Sequence, residues 1–183
     1  MATEWQFDMQ HSGINFMVRH LLVAKVRGRF TRWSGTMRFD EKNPSGSSLD
    51  VQIDTNSVDT SEAQRDTHLR SPDFLDVANH PHMTFKSTKV ERAGDATFKV
   101  KGDLTIRGVT RPAVLDVEYG GAMRDPWGNE RAGFTAKATI DRKEFGITFN
   151  QVLDHGGLAL GEQISIDIDV EATKVVAQSA AAR

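Results

Sequence analysis

The stretch QISIDIDVEAT, residues 163–173, sets Ile164, Ile166, Ile168 and Val170 against Ser165, Asp167, Asp169 and Glu171. A period of two places one set on each face of an extended chain, so this segment is a strand with one covered and one wetted face. The same alternation recurs in TFKVKGDLTIRG, with Phe98, Val100, Leu104 and Ile106 on one side, in LDVQID, in AVLDVEYG and in GFTAKATID. It returns less strictly in INFMVRH, KVRGRFTRW, GTMRFD and HMTFKSTKV. Turn-forming clusters, KNPSGSS, RAGD, RGVTRP and RDPWGNE, separate the runs. The pattern predicts eight or nine antiparallel strands.

One segment breaks it. After TNSVDT, Ser61 and Gln64 have the spacing of a capping box and predict a helix of about two turns. In that helix Asp66 and Arg70 are spaced for a surface ion pair, while Leu69 and Arg65 or His68 turn inward. Ser71-Pro72 ends it, and Phe74 and Leu75 follow on a second short turn.

So many one-faced strands with one short helix cannot lie flat, because nothing else is available to cover their apolar faces. Closing the sheet covers them and removes the exposed edges. The expected fold is all-β: a single antiparallel closed barrel of about eight strands, with a short helix and loop insertion near residues 61–80. Such a barrel is either filled by its own side chains or holds one elongated ligand. Many inward positions are small or medium-sized, Gly28 and Gly102 among them, which favours an open interior.

Composition narrows the functions. The chain of 183 residues has no cysteine, which excludes disulfides, thiolate metal sites and cysteine nucleophiles, and its formal net charge of -2 gives no bulk attraction to nucleic acid. No window approaches the roughly 18 apolar residues of a membrane-spanning helix, and MATEWQFDMQ does not read as a secretion signal, so a soluble, cytoplasmic protein is expected. The expected domain covers residues 1–175, with a flexible tail over 176–183.

His68, His80 and His82 sit in one stretch, but their spacing does not suit zinc, and no metal site is expected. His20 continues the inward face of Ile14, Phe16 and Val18; it is either a core histidine satisfied by one hydrogen bond or a polar anchor inside the barrel. No acidic residue lies between Asp8 and Asp40, whereas Arg19, Lys25, Arg27, Arg29, Arg32 and Arg38 do. Lys25, Arg27 and Arg29 share a face, read either as a solvated surface paired with Asp167, Asp169 and Glu171 or as a basic rim that attracts a phosphate or a lipid surface.

The segments HSGINFMVRHLLVAKVRGRF, RDTHLRSPDFLDVANHPHMTFKST, VKGDLTIRGVTRPAVLDVE and AGFTAKATIDRKEFGI, from about Trp5 to Val175, closely resemble the YceI-like family of polyisoprenoid-binding, lipocalin-like proteins. The resemblance implies an antiparallel barrel with a long internal tunnel for an amphiphilic isoprenoid or fatty-chain lipid, without established catalysis, and the expected function is carriage or sequestration of that lipid. Leu75 stands where many members have a second Phe. On this reading the tunnel wall includes Phe16, Val18, His20, Phe30, Phe39, Phe74, Phe85, Leu104, Phe134 and Ile166, with Arg65 and His68 near the head group. A bound polyprenyl-type lipid is the expected ligand, and no other cofactor and no nucleic acid are expected; transient membrane-surface contact and homodimerisation are left open as partners. The rival readings are a lipid-modifying enzyme using Arg65, Asp66 and His68, and a filled barrel serving as an interaction module.

Overall fold

The computed structural model describes residues 1–21, 23–154 and 156–176. The expected tail therefore lies, from residue 177 on, outside the described residues.

The strands are β1 (Thr3–Phe7), β2 (Gly13–His20), β3 (Ala24–Phe30), β4 (Trp33–Phe39), β5 (Ser48–Asp54), β6 (Val58–Asp59), β7 (His82–Arg92), β8 (Thr97–Ile106), β9 (Val109–Arg124), β10 (Glu130–Asp141) and β11 (Leu160–Lys174), with one helix, α1 (Ala63–Arg70). All pairings are antiparallel, and β1, β4, β5, β7, β8, β9, β10 and β11 form a ring that closes where β1 meets β11. The closed antiparallel barrel with one helix is thus the expected architecture.

Two of the ring's staves are split. β11 pairs with β1 through Ala172–Lys174 and with β2 through Leu160–Asp169, so β1 and β2 are the lower and upper parts of one stave. KVRGRFTRW, which reads as one run, is interrupted at Thr31 and Arg32: β3 pairs with β2, and β4 with β1. β4 continues the ring into β5, but β3 is joined beyond β2 only to the two-residue β6, through Arg29 and Phe30. The segment from residue 55 to 81, containing α1, bridges the gap that remains at the upper end. β1 and β6 are too short to show a period and are invisible in the sequence pattern.

Helix α1 is held differently from expectation. Glu62, not Ser61, caps it, accepting from the backbone N–H of Gln64 and Arg65, while Ser61 adopts a positive φ of 61° and donates its N–H to Asp59. The Asp66–Arg70 surface pair is not formed. Asp66 is buried and accepts from the Thr60 N–H (2.9 Å) and Oγ1 (2.6 Å), and Arg70 donates to the carbonyls of Asn56 and Val58. With Leu69 as its one large apolar residue, α1 is fastened by these polar bonds to β6 and its flanks more than by an apolar face.

The outer basic face of β3 does not meet Asp167, Asp169 and Glu171, because β2 lies between β3 and β11. Arg29 pairs instead with Asp59 on β6 (3.1 Å), and Asp167 and Glu171 face Lys137 and Arg131.

Two glycines shape the interior. A Cβ at Gly28 would lie 2.4 Å from the Phe16 ring, and one at Gly102 would lie 2.6 Å from the Phe85 ring and 2.5 Å from the Lys86 carbonyl. Each glycine lets a phenylalanine from the neighbouring stave lie flat across it. The lower end is filled by Trp5, Ala132, Phe134 and Ala172; the upper end is covered by Phe74, Met83, Ile106, Phe145 and Ile147.

Candidate functional site

Between these two clusters the barrel encloses a cavity of about 490 Å³, with wall residues from all eleven strands. The wall is overwhelmingly apolar, and the partly accessible Ile164, Ile166 and Ile168 of β11 face this space. The size falls within the roughly 300–1,000 Å³ of small-ligand sites. Polar side chains gather toward the upper end, where His20, Arg65, His68, Arg142, Asn150 and Gln151 join the lining; Arg38, Ser47 and Ser48 join it at the lower end.

All ten residues nominated as tunnel wall, and both Arg65 and His68, line this cavity. Phe16 and Phe30 pack with ring centroids 5.5 Å apart, while Phe39 and Phe134 meet edge-on at 5.1 Å. Phe74 and Phe149 form a lid with the His68 ring, which lies 4.9 Å from each, and His68 Nε2 is 2.8 Å from the Asp73 carboxylate. The Arg107 guanidinium, on the turn between β8 and β9, donates to the Phe74 carbonyl at 2.9 Å and fixes this lid to the ring. His20 makes no side-chain hydrogen bond to another described residue, so the core-histidine reading lacks its expected partner.

Arg65 donates from Nε to Thr60 Oγ1 (2.7 Å) and from Nη2 to the Thr60 carbonyl (2.9 Å); the same hydroxyl donates onward to Asp66. Asp66 is thereby committed to Thr60, and His68 to Asp73. The three residues of the enzyme alternative therefore form no nucleophile–base–orienter relay.

Sequence reasoning missed Arg142. This residue is only 3% exposed, and it lines the cavity while its guanidinium donates to the carbonyls of Gly161 (2.8 Å), Ile147 (2.8 Å), Phe149 (2.9 Å) and Leu160 (3.4 Å). Burial pushes its pKa down, with the charges of Glu162 and Asp141 acting in the opposite direction. No carboxylate lies within ion-pair distance among the described residues, so the direct contacts to the charge are carbonyl dipoles. The available signal was Arg142 directly after the alternating run GFTAKATID, where the next inward position would be expected to stay apolar.

The YceI-like domain matches residues 5–172. The chain belongs to the YceI-like family. It is 49% identical over 150 residues to UPF0312 protein ECA1782 of Pectobacterium atrosepticum, covering 81% of this chain and 78% of the relative. In fold it is similar to Burkholderia cenocepacia BcnA, with a TM-score of 0.81 at 21% identity over 91% of this chain and 99% of that one. It is also similar to a polyisoprenoid binding domain from Saccharophagus degradans, with a TM-score of 0.67 at 18% identity over 96% and 100% of the two chains.

In this YceI-like chain the three histidines of the stretch from residue 68 to 82 have separate partners. His68 is tied to Asp73, His80 faces Asp76 at 3.9 Å, and His82 stands on β7 opposite Asp54. Among the described residues, Asp8, His11 and Glu171 are close enough to share an ion, but Arg131 Nη1 already lies 2.8 Å from Asp8 and 2.5 Å from Glu171. A cation is thus already built into that group. Among the described residues no helix is long and apolar enough to cross a membrane.

Proposed function

We propose that this chain binds one long-chain amphiphilic lipid, of polyisoprenoid or fatty-chain type, inside the barrel, and carries or sequesters it rather than converting it. The apolar cavity through the barrel is the observation that carries this reading. Phe16, Val18, Phe30, Phe39, Phe85, Leu104, Phe134 and Ile166 are the tail-contacting wall. His20, Arg65 and His68, with Arg142 behind them, make the upper end the polar one, suited to an anionic or strongly hydrogen-bonding head group. Membership of the YceI-like family and the likeness in fold to the polyisoprenoid binding domain of Saccharophagus degradans support the lipid class.

The magnitudes agree. Burying one five-carbon isoprene unit yields on the order of 4 kcal/mol gross, at roughly 0.8 kcal/mol per buried CH₂. After the costs of association the net is nearer about 1.5 kcal/mol per unit, at about 0.3 kcal/mol per heavy atom. About five or six units therefore reach micromolar affinity, which needs about 8 kcal/mol, without strong polar contacts.

Freshly purified protein, extracted with organic solvent and analysed by mass spectrometry, should yield a long-chain species near one equivalent, and delipidated protein should take up polyprenyl phosphate. Absence of lipid together with no uptake would overturn the reading, and turnover of the added polyprenyl phosphate would favour the enzyme alternative.

A further inference from the structure

Two loops meet at the upper end. The β2–β3 turn donates the Leu21 N–H to the Ala159 carbonyl (2.9 Å), joining it to a finger that runs from Asn150 to Ala159. The finger is closed on itself by the Val152–Leu158 bridge and by the Leu153 N–H to Gly157 carbonyl bond. Its base is clamped to β11, since the Asn150 side-chain amide both donates to the Leu160 carbonyl (2.7 Å) and accepts from the Leu160 N–H (2.9 Å). On these joined loops four large apolar side chains face outward: Leu21 is 47% exposed, Val23 87%, Val152 76% and Leu158 43%. Bound loops that display aliphatic tips to water, rather than folding them inward, mark an interaction surface.

What lies behind the tips selects the partner. Arg19 and Lys25 stand directly opposite each other on the outer face of β2 and β3, with Arg27 two residues farther down, and none has a carboxylate within ion-pair distance among the described residues. Placing Arg19 across from Lys25 costs stability unless an external anion offsets it. The finger and turn contribute Asp154 as their sole acid among the described residues. Exposed tips also adjoin wall residues of the cavity: Leu21 follows His20, Val152 follows Gln151, and Leu158 precedes Ala159. Aliphatic tips, three uncompensated cations just behind them, and direct continuity with a lipid-sized cavity match the depth profile of a bilayer surface, with acyl chains below and phosphates above.

We propose that this upper rim docks onto bilayers containing anionic phospholipid, inserting Leu21, Val23, Val152 and Leu158 and seating Arg19, Lys25 and Arg27 among the phosphates, so that lipid enters and leaves the barrel at this end. The route of exchange rests on the lipid-binding reading; the docking itself does not.

The test is flotation of the full chain with phosphatidylcholine vesicles made with and without phosphatidylglycerol. Binding should require the anionic lipid and fall with salt. The triple variant Arg19→Gln/Lys25→Gln/Arg27→Gln should weaken it by roughly five-fold for each cation removed. Val23→Ser/Val152→Ser, at water-facing positions that leave the fold intact, should abolish it. Met123 and Trp127, exposed on the opposite end at the β9–β10 turn, serve as the internal control: Trp127→Ser should bind vesicles like the parent. Docking is overturned if no variant of the upper rim changes flotation, if Trp127→Ser removes it, or if the parent does not float. Loss of vesicle binding with retained uptake of polyprenyl phosphate from detergent separates failure of docking from failure of the cavity reading.

Discussion

The two ends of the barrel are built by opposite means. At the lower end Trp5, Phe134 and Ala172 meet Phe39, and the rings of Phe98 and Tyr119 lie 5.4 Å and 5.0 Å from that of Phe39, so the end is filled by aromatic contact within regular strands. Outside this plug, Arg131 joins Asp8, Asp125 and Glu171 across three parts of the chain. At the upper end the ring is incomplete, and an insertion with one large apolar residue in its helix, a 3-10 turn at Arg142–Phe145 and the finger cover the cavity through polar bonds to backbone carbonyls. The lower end keeps its closure within continuous strands. The upper end gives up sheet continuity and gains polar groups in the cavity lining, which is the arrangement expected of a binding end.

That contrast can be broken by substitution. Phe98 is nearly fully buried in the lower half, and Phe98→Ala should cost about 3–5 kcal/mol in denaturant unfolding. Phe74→Ser in the lid should cost less, about 2–3 kcal/mol, because its neighbour His68 is half-exposed and the lid can settle. The lid variant should nevertheless lose more lipid uptake than the plug variant, measured on folded protein at low temperature. Equal uptake in both would mean that the ends do not divide the work in this way.

The smallest effect is on pH dependence. Arg131 holds the Asp125 carboxyl at about 2 against its usual 3.8, and His11 and Arg131 together hold Asp8 well below the carboxylate range. Depressed folded-state values mean that the contribution is complete above pH 3.8 and is lost as pH falls through about 2. Thermal stability should therefore not respond to Asp8 and Asp125 from neutral pH down to about 4 and should then decline. His11, whose pKa Asp8 raises above 6.5, gives up its contribution as pH rises through that raised value. In Arg131→Met the stability at neutral pH should be lower and the acid decline shallower, because the folded-state values of Asp8 and Asp125 move back toward 3.8, while lipid uptake at neutral pH stays unchanged.

The same division explains what could be read in the sequence. Long strands with one covered face, such as β8 and β11, announce themselves because every second residue meets the same environment, and their closure into a barrel follows from having nothing else to cover them. The strand residues that line the cavity, from Phe16 to Ile166, follow the same alternation, whereas Phe74 reaches it from the insertion. The upper end was not, because its structure depends on partners distant in sequence. Ser61 has the right chemistry for a cap, but a positive φ and Asp59 claim it. Asp66 has the right spacing for Arg70, but Thr60 is nearer. Arg142 looks like a surface residue until the carbonyls of Ile147 and Phe149 curl around it.

The ring closes by pairing its first strand with its last, Trp5 opposite Lys174. A chain emerging from the ribosome cannot make that joint until β11 is out, and until then β1, β2 and β10 all present unsatisfied edges. With its decisive contacts separated by almost the whole sequence, such a barrel is expected to fold slowly. The nascent open sheet, rather than the finished protein, is then the species most exposed to aggregation and most in need of a chaperone.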